Sequence, residues 1–278
     1  MIPLDHVAKW TARLDASAQA YLSASEFREY ENIPAPERQQ QIRALLENPI
    51  ASFTIVNELY FRARWSEVLS AAGLAASPVV LEIASGDTDV IPQMMGRDYP
   101  DSRYIAANMN QRLTAGLRAK TRDLPLEVVI IEEDAVAIGR HLQADSVDVI
   151  AFQHGVNDVL QAILCDRDGV DTIQTDWMET LPAMIAILQR ETRQATLEQS
   201  VRPGFLKLLE LLLGVLKPGG VIAMNHYMFQ LDLDWGYPPD VWENLIPMVR
   251  AWVKDLPGTH EIALEGFDRQ WWLFLRKP

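Results

Sequence analysis

Apolar and polar positions change their period once along this chain, from helical spacing to short runs. From about Asp5 to Tyr30, Val7, Trp10, Leu14, Tyr21 and Leu22 recur at intervals that can share one helical face, which predicts a helix or two. Ile33-Pro34-Ala35-Pro36 breaks the pattern, because each proline removes a donor and disfavours the helical region for its predecessor. A further helix is predicted from Glu37 to Glu47 and stopped by Asn48-Pro49. Another runs from about Ser52 to Ala72, with Phe53, Val56, Leu59, Tyr60, Trp65 and Leu69 on its inner face and Gly73 at its end.

Beyond Gly73 short apolar runs appear. Val79–Ile83, Arg103–Ala107, Leu126–Ile131, Ser146–Phe152 and Val221–Met224 read as strands, with helical segments between them such as Val90 to Arg97 and Phe205 to Leu216. That alternation predicts an α/β fold, a mostly parallel sheet with helices on both faces. His260–Phe267 and Gln270–Leu275 read as two strands joined by a tight turn at Asp268-Arg269, after a helix from Asp240 to Asp255. The span from about 159 to 203 is longer than a crossover helix needs. Its stripe of Trp177, Met178, Leu181, Met184, Ile185 and Leu188 marks a helical insert between the fourth and fifth strands.

The stretch Pro78-Val79-Val80-Leu81-Glu82-Ile83-Ala84-Ser85-Gly86-Asp87-Thr88-Asp89 reads as a buried strand, its exit turn and the start of a helix. In an open α/β sheet the crevice beyond that turn is the ligand site, and Gly86 gives room for close approach. Asn108 ends the second strand about twenty residues further on, where an acid usually receives ribose hydroxyls; asparagine can serve without the charge, or can simply cap the next helix. The fourth strand leaves into Gln153-His154-Gly155-Val156-Asn157-Asp158, and polar residues at the carboxyl end of a central strand belong to the crevice. Asn225-His226-Tyr227 follows the fifth strand, so His154 and His226 end neighbouring strands. His154 is the first candidate base, with His226 in reserve and Tyr227 to orient a substrate; Asn157 and Asp158 would hold substrate or orient the imidazole. Both histidines can equally be hydrogen-bonded structural residues.

In Leu81, Glu82, Ile83 and Gly86 the chain resembles the class I S-adenosylmethionine-dependent methyltransferases, with Ala84 and Thr88 where their first motif has its outer glycines. Leu216-Lys217-Pro218-Gly219-Gly220, between a leucine-rich helix and an apolar strand, is a second resemblance, read as a turn. Together they cover roughly Val79 to Arg276. The resemblance implies a Rossmann-like sheet of seven strands, one antiparallel, and S-adenosylmethionine as cofactor. It implies Glu82, Ala84 and Gly86 near the methionine part, Asn108 at the ribose, and Asp134-Ala135 at the adenine, unless Asp134 is only a solvated turn residue. Residues 1–73 would be a helical cap and 74–278 the catalytic domain; Tyr21, Tyr30 and Tyr60 of the prefix would then reach the substrate, or else pack helices or a second subunit.

Charge narrows the partners. Lys and Arg number 25 against 38 Asp and Glu, a formal charge of −13 with no basic stripe, which argues against nucleic acid. One cysteine, Cys165, fits a reducing compartment, and neither a signal-like start nor a membrane-length apolar run is present. The expectation is a cytoplasmic enzyme, monomer or homodimer, with no metal and no membrane partner. It would methylate a small molecule or a carrier-bound small group. The alternatives are an enzyme that consumes S-adenosylmethionine by cyclisation or elimination, releasing methylthioadenosine, and a non-catalytic module that binds it.

Overall fold

The computed structural model describes residues 3–47, 54–74, 76–254 and 256–278. The predicted helix stop at Asn48-Pro49, the start at Ser52 with Phe53, and the helix end at Asp255 lie outside them. Helices α1 (Leu4–Tyr21), α2 (Ala24–Asn32), α3 (Ala35–Glu47) and α4 (Ile55–Ala71) come first. Ser23 separates α1 from α2 with a capping box, in which its side chain accepts from the Glu26 N–H and Glu26 accepts in return from the Ser23 N–H. The alternating part follows as β1 (Val79–Ile83), α5 (Val90–Asp98), β2 (Arg103–Ala107), α6 (Gln111–Thr121), β3 (Glu127–Ile131), a 3₁₀ turn (Ala135–Arg140) and β4 (Val147–Gln153). Then come α7 (Gly155–Asp168), α8 (Trp177–Gln194), α9 (Leu197–Val215), β5 (Leu216–Asn225), α10 (Gln230–Trp235), α11 (Pro239–Trp242), α12 (Leu245–Val253), β6 (His260–Ile262) and β7 (Trp272–Arg276).

The strands form one seven-stranded sheet in the order β3-β2-β1-β4-β5-β7-β6. All neighbours from β3 to β5 are parallel, and β7 alone is reversed, antiparallel to both β5 and β6. The two-residue period of the strands feeds two cores. Leu81, Ile83, Ile105, Ile150, Phe152, Ile222 and Met224 face α7, α8, α9 and α12. Val80, Tyr104, Ala106, Val149, Ala151, Val221 and Ala223 face the opposite way, onto α1, α3, α4 and α5.

The prefix helices, expected as a cap over the crevice, therefore form one of the two helical layers of the sheet. Apolar residues such as Leu14, Leu59, Trp65 and Leu69 are fully buried there, and sealing a sheet face gains far more than shading a ligand. Arg62 clamps the layer in place. Its guanidinium is fully buried and donates to the Tyr21 carbonyl at 2.6 Å, Glu26 at 2.9 Å, Glu58 at 3.1 Å and Asp89 at 3.2 Å, tying α2 and α4 to the start of α5.

Lys217-Pro218-Gly219-Gly220, expected as a turn, lies inside β5 at a register irregularity against β4. A Cβ on Gly220 would meet the Asp148 carbonyl at 2.9 Å, and Gly219 adopts φ +78°, so the pair lets a bulged strand continue where two ordinary residues would clash. Lys217 secures it by donating to both Asp148 oxygens at 2.8 Å. Two further expectations shift. The helix read from Asp240 to Asp255 is split into α11 and α12, and the Asn244 amide between them donates back to the Asp240 carbonyl at 2.8 Å. The final hairpin has a long connection rather than a tight turn, since β6 ends at Ile262 and β7 starts at Trp272. Among the described residues no helix is long and apolar enough to cross a membrane.

Candidate active site

At the carboxyl ends of β1, β2 and β4 lies a cavity of about 860 Å³. The turn after β1 opens it. Ala84 and Gly86 both take left-handed backbone, at φ 55° and 59°, and a Cβ on Gly86 would meet only Leu113 Cδ1 at 3.9 Å. An alanine at φ 55° is strained, which gives the physical reason a glycine suits that position. Asn108 closes the turn from β2, its amide donating to the Gly86 carbonyl at 3.0 Å. Asp134 caps the 3₁₀ turn by accepting from the Val136 N–H at 3.0 Å.

The other end of the cavity is set by β4. Gln153 accepts from the Trp65 indole at 2.6 Å and the Asn225 amide at 2.7 Å, and the Asn225 side chain accepts in turn from the His154 N–H at 2.9 Å. This buried network joins α4, β4 and β5 and holds His154 in a left-handed conformation at φ 57°. The next residue is Gly155, whose absent side chain lets α7 start within reach of the β1 carboxyl end; a Cβ there would lie 2.4 Å from the Ile83 carbonyl oxygen.

Ala84, Gly86, Asn108, Asp134, Ala135, Gln153, His154 and Asp158 thus meet along one cavity wall. Other expected site residues are elsewhere. Glu82 points to the opposite face of the sheet, fully buried, where its carboxyl accepts from the Tyr104 hydroxyl at 2.7 Å. Strand alternation puts it there, between Leu81 and Ile83. Tyr21 donates to Asp98 and Tyr30 to Asp15, both within the helical layer, while Tyr60 packs among Trp10, Phe61 and Tyr227. None of the three lines the cavity. Asn157 donates to Asp158 at 2.9 Å without lining it.

His226 and Tyr227 stand behind His154. The His154 ring lies 5.4 Å from that of His226, 6.1 Å from Tyr227, 5.5 Å from Phe61 and 5.0 Å from Phe229, centroid to centroid. Neither histidine finds a partner for its Nε2, nor His226 for its Nδ1. Burial lowers both imidazoles, His154 to about 3 and His226 well below its ordinary value, so both are neutral near pH 7. That weakens the reading of His154 as a base. Asp158 moves the other way: burial, and then the charge of Asp232, raise its carboxyl to about 7.

Sequence reasoning missed the roof. Gly169 to Ile173 of the loop after α7 and Trp177 of α8 line the cavity, and Asn110 pins that loop by donating to the Thr172 carbonyl at 3.1 Å and the Thr175 carbonyl at 3.0 Å. Its carbonyl oxygen meanwhile caps α6. In the sequence Asn110 marks only a possible helix start. Asn110→Ala is expected to weaken binding of any ligand under this loop about tenfold while costing roughly 1–2 kcal/mol of stability through the lost cap. Calorimetry with S-adenosylhomocysteine and thermal unfolding would measure the two effects separately.

A left-handed turn opening a cavity at the first strand of a seven-stranded sheet in which β7 alone is reversed decides the architecture. This is a Rossmann-like α/β fold. No protein-family model matches the chain, and no curated protein matches it. Among solved structures, the chain is similar to a SAM-dependent methyltransferase from Aquifex aeolicus, at 16% identity over 76% of this chain and 87% of that one, with a TM-score of 0.47. It is also similar to a putative S-adenosyl-L-methionine-dependent methyltransferase from Methanococcus maripaludis, at 10% identity over 78% and 84%, TM-score 0.49. A third is the [4+2]-cyclase SpnF, at 11% identity over 78% and 62%, TM-score 0.43. What the cavity binds rests on this chain's own residues.

The donor set suits a nucleoside with a polar tail. Asn108 offers a carbonyl oxygen to a diol and Asp134 an acceptor to an exocyclic amine, between the apolar Leu113, Val136 and Ile173. Ser85, Gly86 and Asp87 line the cavity at the turn, while the Ala84 and Thr88 N–H groups are taken by the Ala107 carbonyl at 2.9 Å and the Ser85 carbonyl at 3.1 Å.

Proposed function

We propose that the protein is an S-adenosylmethionine-dependent methyltransferase whose acceptor is a small molecule enclosed in the same cavity. One observation carries the reading: a single cavity runs from the left-handed turn past Asn108 and Asp134 to His154 and Asp158, under the loop pinned by Asn110. Its volume of about 860 Å³ leaves space for an acceptor beside the cofactor, within the usual range of ligand sites. A roofed site and the formal charge of −13 favour a small molecule over a nucleic acid.

When bound, the cofactor supplies an electrophilic methyl group on a sulfonium. The chain's own part is alignment and removal of water. Asn108 and Asp134 would fix the nucleoside, the turn would hold the tail, and the Trp65–Gln153–Asn225 network would keep the β4 end rigid. The ring wall around His154 would exclude water from the transfer path.

Calorimetry with S-adenosylmethionine and S-adenosylhomocysteine tests this, with binding of both in the micromolar range expected; no heat from either would end the cofactor reading. Incubation with S-adenosylmethionine alone, read by mass spectrometry, is expected to leave it intact. Rapid release of methylthioadenosine would replace methyl transfer with cyclisation or elimination.

A further inference from the structure

We propose that the methyl acceptor is a lipophilic small molecule whose apolar body lies between α7 and α9, in the arm of the cavity walled by Val159, Ala162, Ile163, Gly204, Leu208 and Trp177. The proposal rests on the cofactor reading above and names the acceptor class for that site.

The cavity has two unlike halves. Polar side chains gather beyond β1, β2 and β3, where Ser85, Asp87, Asn108, Asn110 and Asp134 line it. On the side of α7 the wall is apolar between two acids: Asp158 and Asp166 bracket the stretch, and Val159, Ala162 and Ile163 stand between them. The backbone polar groups of a helix interior are spent on bonds within the helix, so this half offers a ligand contact surface and few hydrogen bonds. A charged acceptor body would give up its hydration here and find little to replace it.

Helix packing alone does not account for these residues. α7 already has a core stripe in Val156, Leu160 and Leu164, all fully buried. Val159, Ala162 and Ile163 make a second stripe and stay only partly buried, because the surface they leave open faces the cavity. α9 repeats the arrangement. Its Phe205, Leu209 and Leu212 are fully buried in the core, while Gly204 and Leu208, one turn apart, line the cavity. A glycine weakens a helix interior, and at 204 the missing side chain is space: a Cβ would stand 3.2 Å from Ile163 Cδ1 on the facing wall. Any other residue there would narrow the arm.

The way in is apolar as well. Leu211, a turn beyond Leu208, is 39% exposed, and Met178, next to Trp177, is 54% exposed. Large apolar side chains left in water beside an apolar cavity suit the entry of a lipophilic ligand. An arm set under Trp177 and the loop pinned by Asn110 suits a small molecule, not a flat macromolecular surface.

A chain-length series tests the idea. Straight-chain alcohols from butan-1-ol to decan-1-ol compete with the neutral fluorophore N-phenyl-1-naphthylamine on protein saturated with S-adenosylhomocysteine and, in parallel, on protein without it. Affinity is expected to rise about threefold for each added methylene until the arm is filled, and then to level off. Ala162→Leu should fill part of the arm, so that decan-1-ol binds about tenfold more weakly and the plateau comes at a shorter chain, with S-adenosylhomocysteine affinity within about threefold of wild type. Val159→Asn brings an amide to the same wall at similar size and should weaken the longer alcohols about fivefold. Absent binding, or an affinity independent of chain length, overturns the proposal. So does a series that both variants leave unchanged, since the alcohols would then sit outside the arm. If the variants weaken S-adenosylhomocysteine as much as decan-1-ol, the arm belongs to the nucleoside site and the acceptor claim falls. Should one variant fail to fold, the other and the wild-type series decide. Absence of any S-adenosylhomocysteine heat beside an intact alcohol series removes the cofactor reading instead and leaves the apolar site standing.

Discussion

Gly155→Ala is expected to lower the unfolding midpoint by roughly 5–10 °C and to abolish measurable S-adenosylhomocysteine binding. Its Cβ would sit 2.4 Å from the Ile83 carbonyl oxygen and 3.4 Å from the Ala84 Cβ, so the atoms in conflict are backbone on one side and the left-handed turn on the other. Neither is the free end of a flexible side chain. The start of α7 and the end of β1 must therefore move apart, and the turn that opens the cavity moves with them. Overpacking of this kind costs about 3 kcal/mol when a backbone must yield. Gly214→Ala is the matched control. That glycine lies in α9 with nothing within 4 Å of a built Cβ, and the same substitution should there stabilise by roughly 0.5–1 kcal/mol. Thermal unfolding of the two variants side by side checks the sign as well as the size; a Gly155→Ala protein with wild-type midpoint and binding would show that the β1–α7 approach is looser than this geometry requires.

The strands and the mostly parallel sheet were legible because apolar runs bounded by turn residues leave few readings. β1 falls in the stretch read as a strand and its exit turn, β2 is found with the bounds its sequence predicts, and β3 and β4 within one residue. The prefix was legible as helix yet not as a layer, since the stripe of Leu59, Trp65 and Leu69 shows that a face is buried and says nothing of what it is buried against. Three site features were invisible for related reasons. Gly155 reads as one more loop glycine until the Ile83 carbonyl is placed above it. Asn110 reads as a cap, which it is, while its second role depends on a loop more than sixty residues away in sequence. Glu82 was misplaced for the simplest reason: the motif that names it lies on a strand, and a strand alternates, so the acid next to the left-handed turn belongs to the other face.

Glu82→Gln is expected to change stability with a sign that reverses with pH. Glu82 is fully buried in the middle of β1, between Ala106 of β2 and Ala151 of β4, with one carboxyl oxygen accepting from Tyr104 and the other unpartnered. Burial is the largest influence and raises it; the Tyr104 hydrogen bond pulls it partly back, the charge of Asp89 pushes it up again, and the result is about 8. Below about pH 4.5 both folded and unfolded chains hold the proton, so the acid contributes nothing to the pH dependence. Between about 4.5 and 8 the unfolded chain has lost the proton while the folded one keeps it, and stability falls by up to about 1.4 kcal/mol for each pH unit from this group. Above 8 the loss levels off, with the fold carrying a buried carboxylate. Glutamine has no proton to lose, but its amide nitrogen brings donors to a place where one oxygen already lacked a partner, at a cost of roughly 1 kcal/mol. The variant should thus be about 1 kcal/mol less stable than wild type at pH 4 and roughly 3–4 kcal/mol more stable at pH 9. Urea unfolding across that range would show the two curves crossing at about pH 5; a difference that stays constant from pH 4 to 9 would mean that Glu82 is ionised in the fold throughout and that Tyr104 alone holds its charge.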